Sequence, residues 1–154
     1  MNSATDDLLE LFDYASERLR DRMQGLTDAE WAWRPSALDP KISIRWRLDH
    51  LASCLSEPRN WSWLGLVPPA PGAASAAGSA AAALSALADS SAAFRSVVAD
   101  PAVDLTVALG AAAGPYAAAT RRSFVLHIAD ELVHHAAEAA LLRDLYAARV
   151  VGDR

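Results

Sequence analysis

The stretch DELVHHAAEAALLRD, residues 130–144, is strongly helix-prone, yet it sets Glu131, His135 and Glu138 in the stripe where a small helical protein keeps its leucines. An ionised carboxylate is almost never buried without a partner. Any fold open to this chain must therefore supply one. With His135 at zero and 100° per residue, Phe124, Ile128, Glu131, Leu142 and Tyr146 fall within about 40° of it. Glu138 lies about 60° away and His127 about 80°, on the boundary. His134 and Asp130 stand on a flank, about 100° and 140° off, where they meet water or a neighbouring helix.

The helical period recurs along the chain. Leu8, Leu11, Phe12, Ala15, Leu19 and Met23 share one stripe and predict a first helix over residues 5–23, capped by Ser3 or Thr5 and stopped by Gly25. Thr27 to Glu30 has the capping-box pattern, so a short helical turn carrying Trp31 and Trp33 should follow and end before Pro35. A second helix is expected from Lys41 or Ile42 to about Leu64. Trp46, His50, Ser53, Cys54, Glu57, Trp61 and Leu64 fall on its inner side, and Pro58 should kink or split it. GLVPPAPGAASAAG reads as a flexible connection. Leu84, Leu87, Phe94 and Val98 then mark a third helix over residues 79–99. VDLTVAL, residues 103–109, alternates like a strand but has no second strand to pair with, so it reads as an extended crossing loop. The fourth helix should begin at Pro115 or Thr120 and end at Arg149, with Gly152 just past it. Four helices with a long connection in the middle predict an all-α, antiparallel four-helix bundle formed by a single domain over residues 1–154.

The totals exclude several function classes. A net charge of −5 and no basic stripe argue against nucleic acid as a partner. The alanine-rich stretch is broken by serines, glycines and Asp89, and no run is long and bulky enough to span a bilayer, so no membrane partner is expected. The acidic N-terminus lacks a signal-peptide layout. Cys54 is the only cysteine, which permits no internal disulfide and fits a reducing cytoplasm. Lys41 is the only lysine among the 14 lysines and arginines, a bias that points, on composition alone, to a GC-rich bacterial genome.

Glu131 and His135 are an i, i+4 pair aimed at one spot. A carboxylate and an imidazole there are good ligands for zinc, nickel or iron. Two ligands seldom hold a catalytic metal, and His50 is the only one of the four histidines outside the last helix. His50, Glu131 and His135 would form a three-ligand site with positions open to water, the catalytic type. Glu138 could orient a ligand. Trp46, Trp61 and Trp33 could wall an apolar pocket beside it, although five tryptophans are more simply core. Cys54, one turn after His50, reads either as a thiol near the metal or, better, as a small buried hydrophobe. Glu131 with His135 is also compatible with an ordinary hydrogen bond. Two other templates fit poorly. DELVH has Asp130 where the H-E-x-x-H zincin pattern needs histidine. ELVH matches the di-iron Glu-x-x-His but lacks the second copy that design requires.

WRLDHLASCLSEPRNWSWLG and FVLHIADELVHHAAEAALLRDLY resemble the two signature helices of the DinB/YfiT-like superfamily, the DNA-damage-inducible-type four-helix proteins. The resemblance spans nearly the whole chain. It implies an up-down-down-up bundle, commonly a homodimer, with a divalent metal at one end. The family's usual triad is one histidine on the second helix and His-x-x-x-His on the fourth. Here those positions are His50, Glu131 and His135, so glutamate replaces the middle histidine. Mycothiol-dependent maleylpyruvate isomerases resemble this chain in that choice, which could favour zinc or change the affinity. They carry a further C-terminal domain, so their substrate does not carry over.

The resemblance implies an enzyme acting on a small-molecule substrate. Its first form is an S-transferase or isomerase using mycothiol or another low-molecular-weight thiol; its variant is a metal-dependent hydrolase. A non-catalytic, stress-associated binding protein is the alternative, with the metal site empty or sealed by tryptophans. A third reading is a helical interaction module with His134 and Asp130 at a subunit contact.

Overall fold

A computed structural model describes residues 3–70 and 76–152. Part of the connection expected around residues 65–78 lies outside them, as does the side chain of Ser3 offered as a cap. Among the described residues there are six α-helices, one 3-10 helix and no named strand, and no helix is long and apolar enough to cross a membrane. The chain is all-α.

Helix α1, Ser3–Arg22, buries Leu8, Leu9, Phe12, Ala15 and Leu19, with Met23 beneath its end. Leu11, expected in that stripe, is 44% exposed and Leu9 takes its place. The stripe is rotated because the helix over residues 80–98 packs on the Phe12 and Asp13 side: Phe12 meets Phe94 at 5.6 Å and Asp13 pairs with Arg95 at 2.7 Å. Gly25 stops α1 at φ +71°, a conformation that costs glycine little.

Helix α2, Asp28–Ala32, opens with the predicted capping box: Glu30 N–H donates to Thr27 Oγ1 and Thr27 N–H to Glu30 Oε2. Trp31 is buried, but Trp33 falls outside the helix as its extended C-cap, one residue before the Arg34-Pro35 pair.

Helix α3, Ile44–Ser56, starts later than expected because Ser43 is its cap, accepting from Trp46 N–H at 3.2 Å. Ile44, Leu48, Leu51 and Leu55 form its core face. Trp46 and His50 stand at the edge of that face, and Ser53 is exposed. Proline splits the helix as predicted. Glu57 turns extended before Pro58, and α4, Arg59–Trp63, follows. Asn60, fully buried, joins the pieces: Nδ2 donates to the Cys54 and Leu55 carbonyls, each at 2.9 Å. Those are two of the acceptors that a helix C-terminus leaves unpaired.

Helix α5, Ala80–Val98, is capped by Ser79 and buries Ala83, Leu87, Phe94, Val97 and Val98. The alternating segment after it is a crossing loop, as expected. Its carbonyls at Val107 and Leu105 accept the Arg121 and Arg122 N–H groups at 2.9 Å, pairing first-turn donors of the last helix. A 3-10 helix, Ala111–Tyr116, intervenes. Helix α6, Arg121–Gly152, runs 32 residues and includes Gly152, which sequence placed beyond its end. Helix α3 packs against α5 and α6, and α1 against α6 and α5, so the four long helices share one core.

Candidate metal centre

His50 on α3 and the pair Glu131 and His135 on α6 come together. Glu131 Oε2 lies 3.4 Å from His50 Nε2 and 3.3 Å from His135 Nε2. Candidate donor atoms on the three residues all lie within 4.8 Å of one another. The site is graded in depth: the His135 side chain is 11% exposed, Glu131 28% and His50 36%. Solvent therefore reaches it from the His50 side.

The two rings are held edge to face, 4.7 Å between centroids and 87° apart. Trp46, one turn before His50, stacks on it at 4.7 Å and 8° and meets His135 edge-on at 5.7 Å. This tryptophan walls the site. Among the described residues Trp61 makes no ring contact with the triad; it packs at the edge of the core. The break at Pro58 carries α4 out of phase with α3, so a single continuous wheel misplaced it. Trp33 is also elsewhere, edge-on to Tyr146 at 5.5 Å.

Glu138 stands behind His135. Its Oε2 lies 2.6 Å from His135 Nδ1, and its Oε1 lies 3.3 Å from His134 Nε2. Arg47 reaches the same carboxylate from α3, with Nε 2.8 Å from Oε2. Burial alone would raise the Glu138 carboxyl, but the His135 hydrogen bond and the charges of Arg47, His134 and His135 outweigh it and hold the group below the usual range. An ionised carboxylate only accepts, so in the 2.6 Å contact His135 Nδ1 is the donor and Glu138 Oε2 the acceptor.

Cys54 is buried. Burial pushes its thiol up, and the charges of Glu131 and Glu57 push the same way. It is a protonated core residue beside the triad, not a ready thiolate. His127 is exposed and lines a cavity of ≈ 360 Å³ with Arg59, Trp63, Tyr116 and Phe124. His134 and Asp130 are exposed, as their flank position predicted, although His134 also reaches Glu138. Sequence reasoning passed over Arg47. Its spacing, one turn before His50, was the only available signal.

The chemistry of the donors tests whether a metal fits. Two imidazole nitrogens and a carboxylate oxygen are the His2Glu set of catalytic zinc sites. Donors about 2.0 to 2.1 Å from a tetrahedral metal stand about 3.3 to 3.4 Å apart. Two of the three donor separations, 3.4 Å and 3.3 Å, match that edge, and the third lies within 4.8 Å. The residues fit a divalent cation.

No curated protein and no solved structure matched the chain. The family model of the DinB superfamily matches residues 11–139, a span that holds the triad, Arg47 and Glu138. By that match the chain belongs to the DinB superfamily.

Proposed function

We propose that the protein is a divalent-metal-dependent enzyme of the DinB superfamily, with His50, Glu131 and His135 as ligands and zinc as the metal. The observation that carries the reading is the convergence of both Nε2 atoms on one Glu131 oxygen at a tetrahedral donor spacing. Three protein ligands and a solvent-facing side leave room for an exogenous molecule. A metal bound there would stabilise a thiolate or lower the pKa of water. The chain's own part is to aim His135 through Glu138, wall His50 with Trp46, and keep Cys54 protonated and out of the chemistry.

The preferred activity is transfer or isomerisation that uses a low-molecular-weight thiol of the mycothiol type. With Cys54 held as a thiol, the sulfur nucleophile must come from outside the chain. Hydrolysis is the second reading, favoured by the His2Glu donor set, which hydrolytic zinc sites also use. Zinc titration of untagged protein tests the metal claim: about one equivalent should bind, with His50→Ala and His135→Ala each removing it. A wild type that takes up no zinc, nickel or iron ends the reading. Given metal, a thiol that raises the melting temperature of the zinc form favours S-transfer, and ester turnover without thiol favours hydrolysis.

The up-down-down-up bundle belongs to the same reading. Arg47 pairs with Glu138 and His50 with Glu131, the order expected if α3 runs against α6. Leu19 shares a cavity with Ala136 while Arg22 pairs with Asp144, the order expected if α1 runs with α6. Phe12 meets Phe94 while Met23 shares a cavity with Leu84 and Leu87, which supports α5 running against α1.

A further inference from the structure

A second donor group, His134, His135 and Glu138, shares His135 with the triad. What sets it apart is a cation already in place. Arg47 Nε lies 2.8 Å from Glu138 Oε2, and Nη2 donates to Oε1 at 3.2 Å. Its side chain is 14% exposed. A guanidinium paired with this carboxylate, through one hydrogen bond from Nη2 and a close Nε contact, opposes a second cation there by its charge. The same guanidinium lies 4.7 Å from the Trp46 ring, which stacks on His50. One arginine therefore touches the supports of both histidines.

We propose that Arg47 is the positioning residue of the metal centre. Acting through Glu138, it holds His135 as the Nδ1–H tautomer with Nε2 aimed at Glu131 and His50. The inference rests on reading those three residues as ligands. Glu138 has two imidazoles within reach, His135 at 2.6 Å and His134 at 3.3 Å. Pinned by Arg47 it serves His135. Unpinned, it is free to turn toward His134, and His135 then samples both tautomers. The Nε2–H form would place a proton where the metal must bind. Lysine at this position would keep the charge but lose the planar fork.

The test uses full-length, metal-free protein labelled with ¹⁵N-histidine, as wild type, Arg47→Met and Arg47→Lys. Long-range ¹H–¹⁵N spectra, recorded above the imidazole titration range, read the His135 tautomer. Competition with a chromogenic chelator reads zinc affinity. Wild type should show one tautomer, Nδ1–H. Arg47→Met should show a mixture and bind zinc about 10- to 100-fold more weakly, and Arg47→Lys should recover part of both. The same single tautomer in Arg47→Met overturns the proposal, whatever happens to zinc, because the effect would then be merely structural. If Arg47→Met does not fold, Glu138→Ala, which removes the acceptor, carries the same measurement, and an unchanged tautomer there overturns it too. A wild type that binds no zinc sinks the metal reading and with it the centre that Arg47 would serve; the tautomer comparison, which needs no metal, tells the two failures apart.

Discussion

Single residues set this protein's chemistry by where their partners stand. Glu30 illustrates the rule away from the metal centre. It closes the α2 capping box and also accepts from Arg143 Nε at 3.0 Å. Burial would raise its carboxyl, but hydrogen bonds from the Thr27 backbone, Arg143 and the Thr27 side chain, with the Arg143 charge, hold it below the usual range. The sign follows. A carboxyl depressed by folding contributes stability above its unfolded pKa, about 4.3, and loses it as pH falls through the lower folded value. Glu30→Gln should therefore cost about 1 kcal/mol near neutrality. Urea midpoints measured from pH 7 down to pH 3 should show the gap to wild type closing; a gap constant across that range would contradict the assignment. Thr27 and Glu30 were readable as a box from their spacing alone. Arg143, 113 residues away, was not.

At the scale of elements, the break between α3 and α4 is the decisive joint. Sequence shows that Pro58 must interrupt the helix. It does not show what repairs the break. Asn60 does, by pairing two carbonyls that α3 would otherwise bury without donors. Asn60→Ala should destabilise by about 2 to 4 kcal/mol, because each buried acceptor left unpaired costs about 1 to 3. Denaturant unfolding checks this, and a loss below about 0.5 kcal/mol would mean that water replaces the amide. The joint also explains the misplaced Trp61: a wheel is valid only while the helix continues. The segment over residues 103–109 makes a related point. Its alternation was real, since Leu105 and Leu109 are buried and Val107 is exposed. Its carbonyls at Leu105 and Val107 pair with first-turn donors of α6, not with a long strand partner.

For the whole molecule, metal and fold should be linked. A ligand that binds only the folded state at about 100 times its Kd adds about 2.7 kcal/mol. For a chain of this length that corresponds to a rise in Tm of about 5 to 10 °C. Zinc should produce that rise, chelator should reverse it, and His50→Ala should abolish it. A zinc effect that survives His50→Ala would place binding elsewhere. The homodimer implied by the resemblance is likewise proposed at this scale. Leu141 and Leu145 are exposed one turn apart on α6 and support it. Light scattering should find a dimer in wild type and a monomer in Leu141→Glu/Leu145→Glu; a monomeric wild type would remove the dimer from the reading.

The sequence by itself determined the helices, the Thr27 capping box, the split at Pro58 and the candidate donors, because each follows from local spacing and backbone chemistry. Glu131 and His135 share a face through the helical period alone. Only the tertiary structure decided which atoms converge: that both Nε2 nitrogens meet one Glu131 oxygen, that Trp46 and not Trp61 walls the site, and that Arg47 reaches across to Glu138. Those contacts join residues 81 and 91 positions apart. Their geometry depends on how α3 and α6 pack, and no local pattern in either helix encodes it.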